Sequence, residues 1–139
     1  MREDLMEKLK NKFNSFQTAF ARLEEAIQLY QKDNHPVLLD GTIQRFEFTV
    51  ELAWKVMKEY LESEKFGEFN SPKSTIKEAY RVGLIEDGET WLDMLDDRNL
   101  TSHTYDEECA KEIYRKIIMN YEKVLTKLEN KIKEVMENE

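Results

Sequence analysis

The stretch that decides the fold is residues 9–30, LKNKFNSFQTAFARLEEAIQLY. Its large apolar side chains recur every three or four residues, at Leu9, Phe13, Phe16, Phe20, Leu23, Ile27 and Tyr30. This is the period of an α-helix with one buried stripe, whereas a strand would alternate at every second residue. The sequence therefore predicts a long amphipathic helix over residues 3–32.

The C-terminal part of the chain has the same period. Its apolar residues stand four or three apart, at Ala110, Tyr114, Ile117, Tyr121, Val124, Leu128, Ile132 and Val135. This pattern predicts a helix from about Asp106 towards Glu137. Because the two terminal helices carry matching stripes, we expect them to pack side by side and antiparallel in a bundle.

The run Asp33-Asn34-His35-Pro36 separates the first helix from the second. The residue before a proline is pushed away from helical angles, so His35 is expected in a loop and the second helix near Asp40. The core-facing residues of that helix are predicted to be Ile43, Phe46, Val50, Ala53, Trp54, Met57 and Leu61.

The second helix also carries another apolar stripe, formed by Phe48, Leu52 and Val56 at four-residue spacing. A helix that is apolar on two sides lies either at the centre of a protein or at an interface. A central helix is hard to arrange in so small a bundle, so we interpret this stripe as a homodimer contact.

Turn and capping signals divide the region between the second and last helices. Residues 67–70 are predicted to form a loop, Ser71-Pro72 to start a short helix, and Gly83 to end it. A further helix is predicted over residues 88–102, with its inward side chains at Trp91, Leu92 and Leu95.

Composition supports an all-α fold in one domain, residues 1–139. Charged residues make up 36 % of the chain, which has only 4 Gly and 2 Pro, and this mixture favours long helices over a turn-rich β fold. A length of 139 residues allows one domain with a real core. We predict an up-and-down antiparallel helical bundle of the four-helix-bundle type, with a short extra helix, that dimerises.

Charge and cysteine content exclude several classes of protein. A formal net charge of -8 weighs against non-specific coating of nucleic acid, which is driven by basic residues. The single cysteine, Cys109, allows no intramolecular disulfide and no cysteine-based zinc cluster. No segment reaches the roughly 18 apolar residues of a membrane span, so we expect a cytoplasmic protein without a membrane partner.

The chemistry concentrates in residues 97–106, DRNLTSHTYD. Residues five apart on an α-helix are rotated by about 140°, so Arg98 and His103 cannot share a face of one unbroken helix. The helix should therefore end near His103. An extended Thr104 would then put His103 and Tyr105 on one side, with Asp106 free to cap the next helix.

Three segments resemble the HEPN superfamily: residues 43–55 (IQRFEFTVELAWK), 71–85, and 91–105 (WLDMLDDRNLTSHTY). More narrowly, they are similar to the nucleotidyltransferase substrate-binding proteins, small proteins encoded beside a minimal nucleotidyltransferase. The likeness covers nearly the whole chain, and its most specific part is Arg98-x4-His103-x-Tyr105.

The resemblance implies a helical bundle that dimerises, with Arg98 and His103 of both protomers meeting in a cleft. In the family at large this motif is the active centre of ribonucleases, many of them toxins, that need neither a metal nor another cofactor. In this branch the partner nucleotidyltransferase acts as antitoxin and transfers AMP to the motif tyrosine, here Tyr105. The alternative for the same branch is a noncatalytic subunit that binds the nucleotide or substrate of the transferase.

The ribonuclease interpretation is chemically coherent. His103 could take a proton from a ribose 2′-hydroxyl or give one to the leaving oxygen, while the planar fork of Arg98 stabilises charge on the phosphorane. Asn99 could orient the histidine or donate to a phosphate oxygen. An AMP group on Tyr105 would add bulk and negative charge where phosphate must sit.

Alternatives without catalysis stay open at this stage. Arg98 and His103 could simply favour a helix C-terminus, and Tyr105 could be a wedge between two helices. Glu47 and Glu51 form either a solvated strip or a support opposite Arg98. Six acids between Glu86 and Asp97 repel RNA and suit a basic partner surface, and a plain interaction module remains a further alternative.

Overall fold

The computed structural model describes residues 2–103 and 106–138, with the side chains of Arg2, Ser102 and His103 left out. Its helices are α1 (Arg2–Lys32), α2 (Pro36–Ser63), α3 (Pro72–Arg81), α4 (Gly88–His103), α5 (Glu107–Lys116) and α6 (Glu122–Glu137). A π-helical segment, Ile117–Tyr121, joins α5 to α6. Within the described ranges no β-strand occurs, which confirms the all-α prediction.

The helices pack as an antiparallel bundle. The ring of Tyr30, late in α1, meets Tyr114 of α5 edge-on at 4.9 Å between centroids. Gln17 Nε2, earlier in α1, donates to Glu129 Oε2 of α6 at 3.4 Å. Position along α1 therefore rises as position along the last helix falls, and the two terminal helices run antiparallel as predicted.

The second helix begins four residues earlier than predicted, at Pro36 rather than Asp40. Proline is tolerated at the first position of a helix, where its missing N–H would have no partner anyway. His35 is the N-cap: its Nδ1 accepts a hydrogen bond from the amide of Val37 at 3.1 Å. The expectation of a plain loop residue at His35 was incomplete, because its side chain starts the helix.

The predicted capping signals at the other helices are confirmed. Ser71 accepts a hydrogen bond from the amide of Ser74 at 3.3 Å, and Gly83 has a φ of 84°, which an L side chain rarely adopts. Asp106 caps α5 by accepting a hydrogen bond from the amide of Cys109 at 2.7 Å. The helix ends follow directly from these short-range signals.

The predicted stripe of α1 is buried in full, from Leu9 to Tyr30, and so are the predicted core residues of α2. The prediction that the second apolar stripe of α2 lies at an outer surface was partly wrong. Val56 is 0 % exposed and belongs to the core, Leu52 is half-buried against it, and Phe48 remains 61 % exposed. Of the predicted stripe, only Phe48 and the outer part of Leu52 remain available for a dimer contact, and the homodimer itself stays a prediction.

The π-helical segment was not predicted, although the sequence carries its signal. Four buried side chains, Ile113, Ile117, Tyr121 and Leu125, follow one another at steps of four residues. In a regular α-helix such steps drift steadily around the axis, because one turn takes 3.6 residues. The wider π turn corrects this drift and keeps these side chains facing the core.

No helix in the described part of the chain is long and apolar enough to cross a bilayer.

Candidate functional site

The candidate site lies towards the C-terminal end of α4, which is described as far as His103; Thr104, predicted to be extended, lies outside the described residues. The hydroxyl of the buried Thr101 is satisfied by donating to the backbone carbonyl of Arg98 at 2.7 Å. Arg98 is half-buried and Asn99 is exposed beside it. The side chain of His103, and Tyr105 as a whole, lie outside the described residues.

Arg98 is held by a carboxylate of α2. Its Nη2 lies 3.0 Å from Glu51 Oε2, and both side chains are 31 % exposed. Its Nη1 donates to Asn99 Oδ1 at 3.2 Å. The alternative in which Glu51 faces Arg98 is thus the arrangement observed, and the solvated-strip alternative fails for this residue.

Glu51 is the centre of a small polar network on α2. The indole Nε1 of Trp54 donates to Glu51 Oε2 at 3.1 Å, and Lys55 Nζ lies 3.4 Å from Oε1. These contacts fix the carboxylate, and through it Arg98. Trp54 and Lys55 were not predicted at the site, although their spacing of three and four from Glu51 places them on the same face of α2.

Glu47 stands one turn before Glu51 and is half-buried. Among the described residues, no hydrogen bond or ion pair joins it to Arg98. The structure therefore brings together Arg98, Asn99 and Glu51 of the predicted set, and it does not bring in Glu47.

Arg98 has unused hydrogen-bonding capacity. A guanidinium carries five N–H donors, and the contacts with Glu51 and Asn99 occupy Nη2 and Nη1. The buried Nε has no acceptor among the described residues. Two cations, Arg98 and Lys55, also flank the single carboxylate of Glu51. This surrounding suits an anion with several acceptor oxygens, such as a phosphate.

Asp97 was expected to be one of six surface acids, but it is buried. It is only 7 % exposed, and its carboxylate accepts a hydrogen bond from the Tyr121 hydroxyl and pairs with Lys116 Nζ at 3.2 Å. The spacing gives this in hindsight, because Asp97 follows the buried Trp91 and Met94 at intervals of three. The exposed acids of the segment are Glu86, Asp87, Glu89, Asp93 and Asp96.

Burial shifts the pKa values of other ionisable groups. Burial raises the pKa of the Cys109 thiol, with neighbouring Asp106 and Asp97 adding to the effect, so this cysteine is not an activated thiolate. Between α1 and α6, burial and the nearby Glu24 raise the pKa of Glu122. Three lysines at four-residue spacing on α6 form a basic stripe that is exposed to solvent, at Lys123, Lys127 and Lys131.

A groove of about 620 Å³ lies between α1 and α2. Its apolar wall contains Ala19, Phe48 and Leu52, and its polar wall includes Arg22 and Arg45. Arg45 is held there by the carbonyl of Arg22 at 2.8 Å. Phe48 therefore stands over a concave surface rather than on a flat one.

The fold and the site define an all-α, antiparallel bundle protein with an arginine near the end of its fourth helix, and comparison with known proteins gives its family. Residues 11–134 match the family described as nucleotidyltransferase substrate binding protein like. The chain belongs to this family, which confirms the resemblance seen in residues 43–55, 71–85 and 91–105.

Two relatives from Haemophilus influenzae are similar to this chain over most of its length. The chain is 35 % identical to a probable ribonuclease HepT of Haemophilus influenzae, over 78 % of this chain and 83 % of that protein. A solved Haemophilus influenzae structure, described as the fold of a substrate binding domain of a nucleotidyltransferase, is 32 % identical, with a TM-score of 0.76 over 87 % of this chain and 98 % of that one.

The fold is also that of a more distant protein. A tri-AMPylated HEPN toxin of Shewanella oneidensis, solved in complex with its MNT antitoxin, has a TM-score of 0.72 over 90 % of this chain and 96 % of that one. At 16 % identity this likeness shows a shared fold.

Proposed function

We propose that this protein is a metal-independent ribonuclease of the toxin type, silenced by a separately encoded minimal nucleotidyltransferase. The observation that carries the proposal is the position of Arg98, which stands five residues before His103 on α4 and has one further N–H on each terminal nitrogen beyond its contacts with Asn99 and Glu51. A relative covering most of the chain is named a probable ribonuclease, which supports the same reaction class.

The proposed reaction is a transesterification within RNA. The 2′-oxygen of a ribose attacks the adjacent phosphorus, the bond to the 5′-oxygen of the next nucleotide breaks, and a 2′,3′-cyclic phosphate and a 5′-hydroxyl result. His103 either takes the 2′ proton or gives a proton to the departing 5′-oxygen, and water carries out the other of these two proton transfers. Arg98 stabilises the charge that grows on the phosphoryl oxygens, and Asn99 orients the histidine or donates to a phosphate oxygen.

Glu51 acts as a support for Arg98 rather than as a catalyst in this proposal. Fixed by Trp54 and Lys55, it holds the guanidinium at one place before RNA arrives. A pre-positioned donor loses little freedom when it binds phosphate, so more of the contact energy is available in the transition state.

The test is RNA cleavage by the purified chain in excess chelator. Arg98→Ala and His103→Ala should each lower the cleavage rate by about 10²–10³-fold, because each removes a group acting on one transition state. Combining them should cost little more than either alone. Arg81→Ala is the matched control, since Arg81 is an exposed arginine whose ion-pair partner among the described residues is Glu78 of its own helix. Full activity in His103→Ala would exclude the proposed mechanism.

Silencing by AMP transfer is tested at Tyr105. Tyr105→Phe keeps the ring but removes the hydroxyl that would accept AMP, so the variant should cleave RNA and resist the transferase. A wild-type chain that never cleaves RNA but binds the transferase and its nucleotide would instead favour a noncatalytic binding subunit. The description of a relative as a substrate binding domain supports that second candidate.

The transferase is proposed to dock on the exposed acids of α4 and of the turn before it, the acidic face formed by Glu86, Asp87, Glu89, Asp93 and Asp96. Such a surface repels RNA and attracts a basic protein. The complex should weaken as salt rises, and reversing Asp93 and Asp96 to Lys should weaken it further, whereas reversing the exposed Glu7 of α1 to Lys should not. Binding that is indifferent to salt and to these reversals would place the interface elsewhere.

A further inference from the structure

The buried carboxylate of Asp97 joins two helices immediately beside the site. It accepts a hydrogen bond from the Tyr121 hydroxyl, and Lys116 Nζ lies 3.2 Å from its Oδ2 and 3.4 Å from its Oδ1. A buried carboxylate is costly unless it is paired and hydrogen-bonded. Both partners come from α5 and the π-helical segment, which continue directly into α6 and form with it the last helical run. Asp97 therefore ties α4 to that run.

The Tyr121 hydroxyl is itself fixed in position. The ring is 2 % exposed and stacks on Phe46 of α2, with 5.7 Å between centroids and 11° between planes. Burial and the hydrogen bond to Asp97 raise the pKa of Tyr121 well above its usual range. The hydroxyl therefore keeps its proton and donates throughout the neutral range.

The π-helical segment explains how both partners reach one carboxylate. Lys116 and Tyr121 are five residues apart, which in a regular α-helix would separate their directions by about 140°. The π segment begins directly after Lys116 and ends at Tyr121, and its i→i+5 bonding pattern brings residues five apart onto one side. Single π turns inside α-helices are frequent at functional sites.

Asp97 and Arg98 are consecutive residues whose side chains bind different helices. Asp97 is bound to the last helical run, and Arg98 is bound to Glu51 of α2. The end of α4 is thus held from two sides at the residue that carries the reactive guanidinium. We propose that Asp97, Lys116 and Tyr121 form a clamp that positions Arg98 for reaction. The activity part of this inference rests on the proposed ribonuclease function.

Tyr121→Phe tests the clamp, because it keeps the ring and its stack on Phe46 and removes only the hydroxyl. Losing this hydrogen bond should speed amide exchange in residues 97–103, and phenylglyoxal modification of Arg98, by about three- to tenfold. If the wild type cleaves RNA, kcat should fall at least about tenfold with KM unchanged, since a misplacement of 1 Å costs on the order of 10²-fold.

Tyr114→Phe is the matched control. Tyr114 lies in the same helical run, its ring meets Tyr30, and its hydroxyl bonds Gln31 away from α4. This variant should leave Arg98 reactivity and kcat near their wild-type values.

Lys116→Met provides an independent variant and a double-mutant cycle. It removes the second partner of Asp97 from a side chain that is 41 % exposed, so the fold should survive. Its effects on Arg98 should be non-additive with those of Tyr121→Phe, because both act through one carboxylate. Two unrelated losses of stability would add instead.

The outcomes separate the clamp from the ribonuclease proposal. If Tyr121→Phe leaves Arg98 reactivity and exchange in residues 97–103 equal to those of Tyr114→Phe, the clamp is refuted. Faster exchange with an unchanged kcat in an active enzyme would refute its positioning role. If the wild type does not cleave RNA, the proposed function fails, and Arg98 reactivity still decides whether the clamp exists.

Discussion

Phe48 offers the sharpest test of the predicted homodimer. Its side chain is 61 % exposed on α2, beside the groove between α1 and α2, so replacing it hardly affects packing within one protomer. Leu52→Asp would be less informative, because Leu52 also packs against the core and its loss would destabilise the monomer. We therefore predict that Phe48→Ala dissociates the dimer while leaving the fold and melting temperature of the protomer nearly unchanged.

The size of the effect follows from the exposed area. A phenylalanine offers roughly 200 Å², so the exposed fraction amounts to roughly 120 Å² per protomer. At about 25 cal/mol per Å², covering this area contributes about 3 kcal/mol per protomer as an upper bound. Interface area converts to affinity incompletely, so we expect a total loss of about 2–4 kcal/mol, or roughly 30- to 1000-fold in Kd.

Sedimentation velocity over a concentration series measures this shift directly. Met119→Ala is the matched control, because Met119 is 62 % exposed on the π-helical segment rather than on α2. The Met119→Ala variant should dimerise with the same Kd as the wild type. A wild-type chain that is monomeric at micromolar concentration, or a Phe48→Ala dimer with unchanged Kd, would refute the interface.

Three further predictions concern charge and capping. The raised pKa of Glu122 means that its ionised form is disfavoured in the folded protein. The contribution of Glu122 to stability is therefore present at low pH and is lost as pH rises through the raised pKa. Calorimetry should show that Glu122→Gln raises Tm by roughly 1–3 °C at pH 7 and gives no gain near pH 4. Asp106→Ala removes the cap of α5 and should cost about 1 kcal/mol in urea unfolding, whereas Asp106→Ser should restore most of it. RNA cleavage should rise in kcat/KM between low and physiological salt, because salt screens the repulsion between RNA and the acidic chain; a fall of tenfold or more would show that RNA follows an extended basic surface.

The helices were predictable because their signals are local. The stripe from Leu9 to Tyr30 needs only the α-helical period, and Ser71, Gly83 and Asp106 act on amides or angles within a few residues. The start of α2 was missed since Pro36 is compatible with either a break or a first turn, and the choice depends on the His35 side chain.

The site was predictable only in part, because its contacts join distant parts of the chain. Glu51 and Arg98 are 47 residues apart, and their pairing depends on how α2 and α4 cross. The burial of Asp97 likewise depends on Lys116 and Tyr121, which reach it only through the π-helical segment. Periodicity identifies the faces of single helices, whereas such pairings arise from packing between them.

The charge distribution reconciles an acidic protein with a phosphate-directed site. The formal net charge of -8 acts over the whole surface, but its effect beyond about 8–10 Å is screened at physiological salt. In the proposed site Arg98 would act at contact distance, where screening is weak, through the N–H groups of Nη1 and Nη2 that Glu51 and Asn99 do not use. The acids therefore reduce the rate at which RNA arrives more than they weaken the reactive contact. The same acids favour a basic partner, so the surface that slows RNA association is also the surface that suits silencing by a docked transferase.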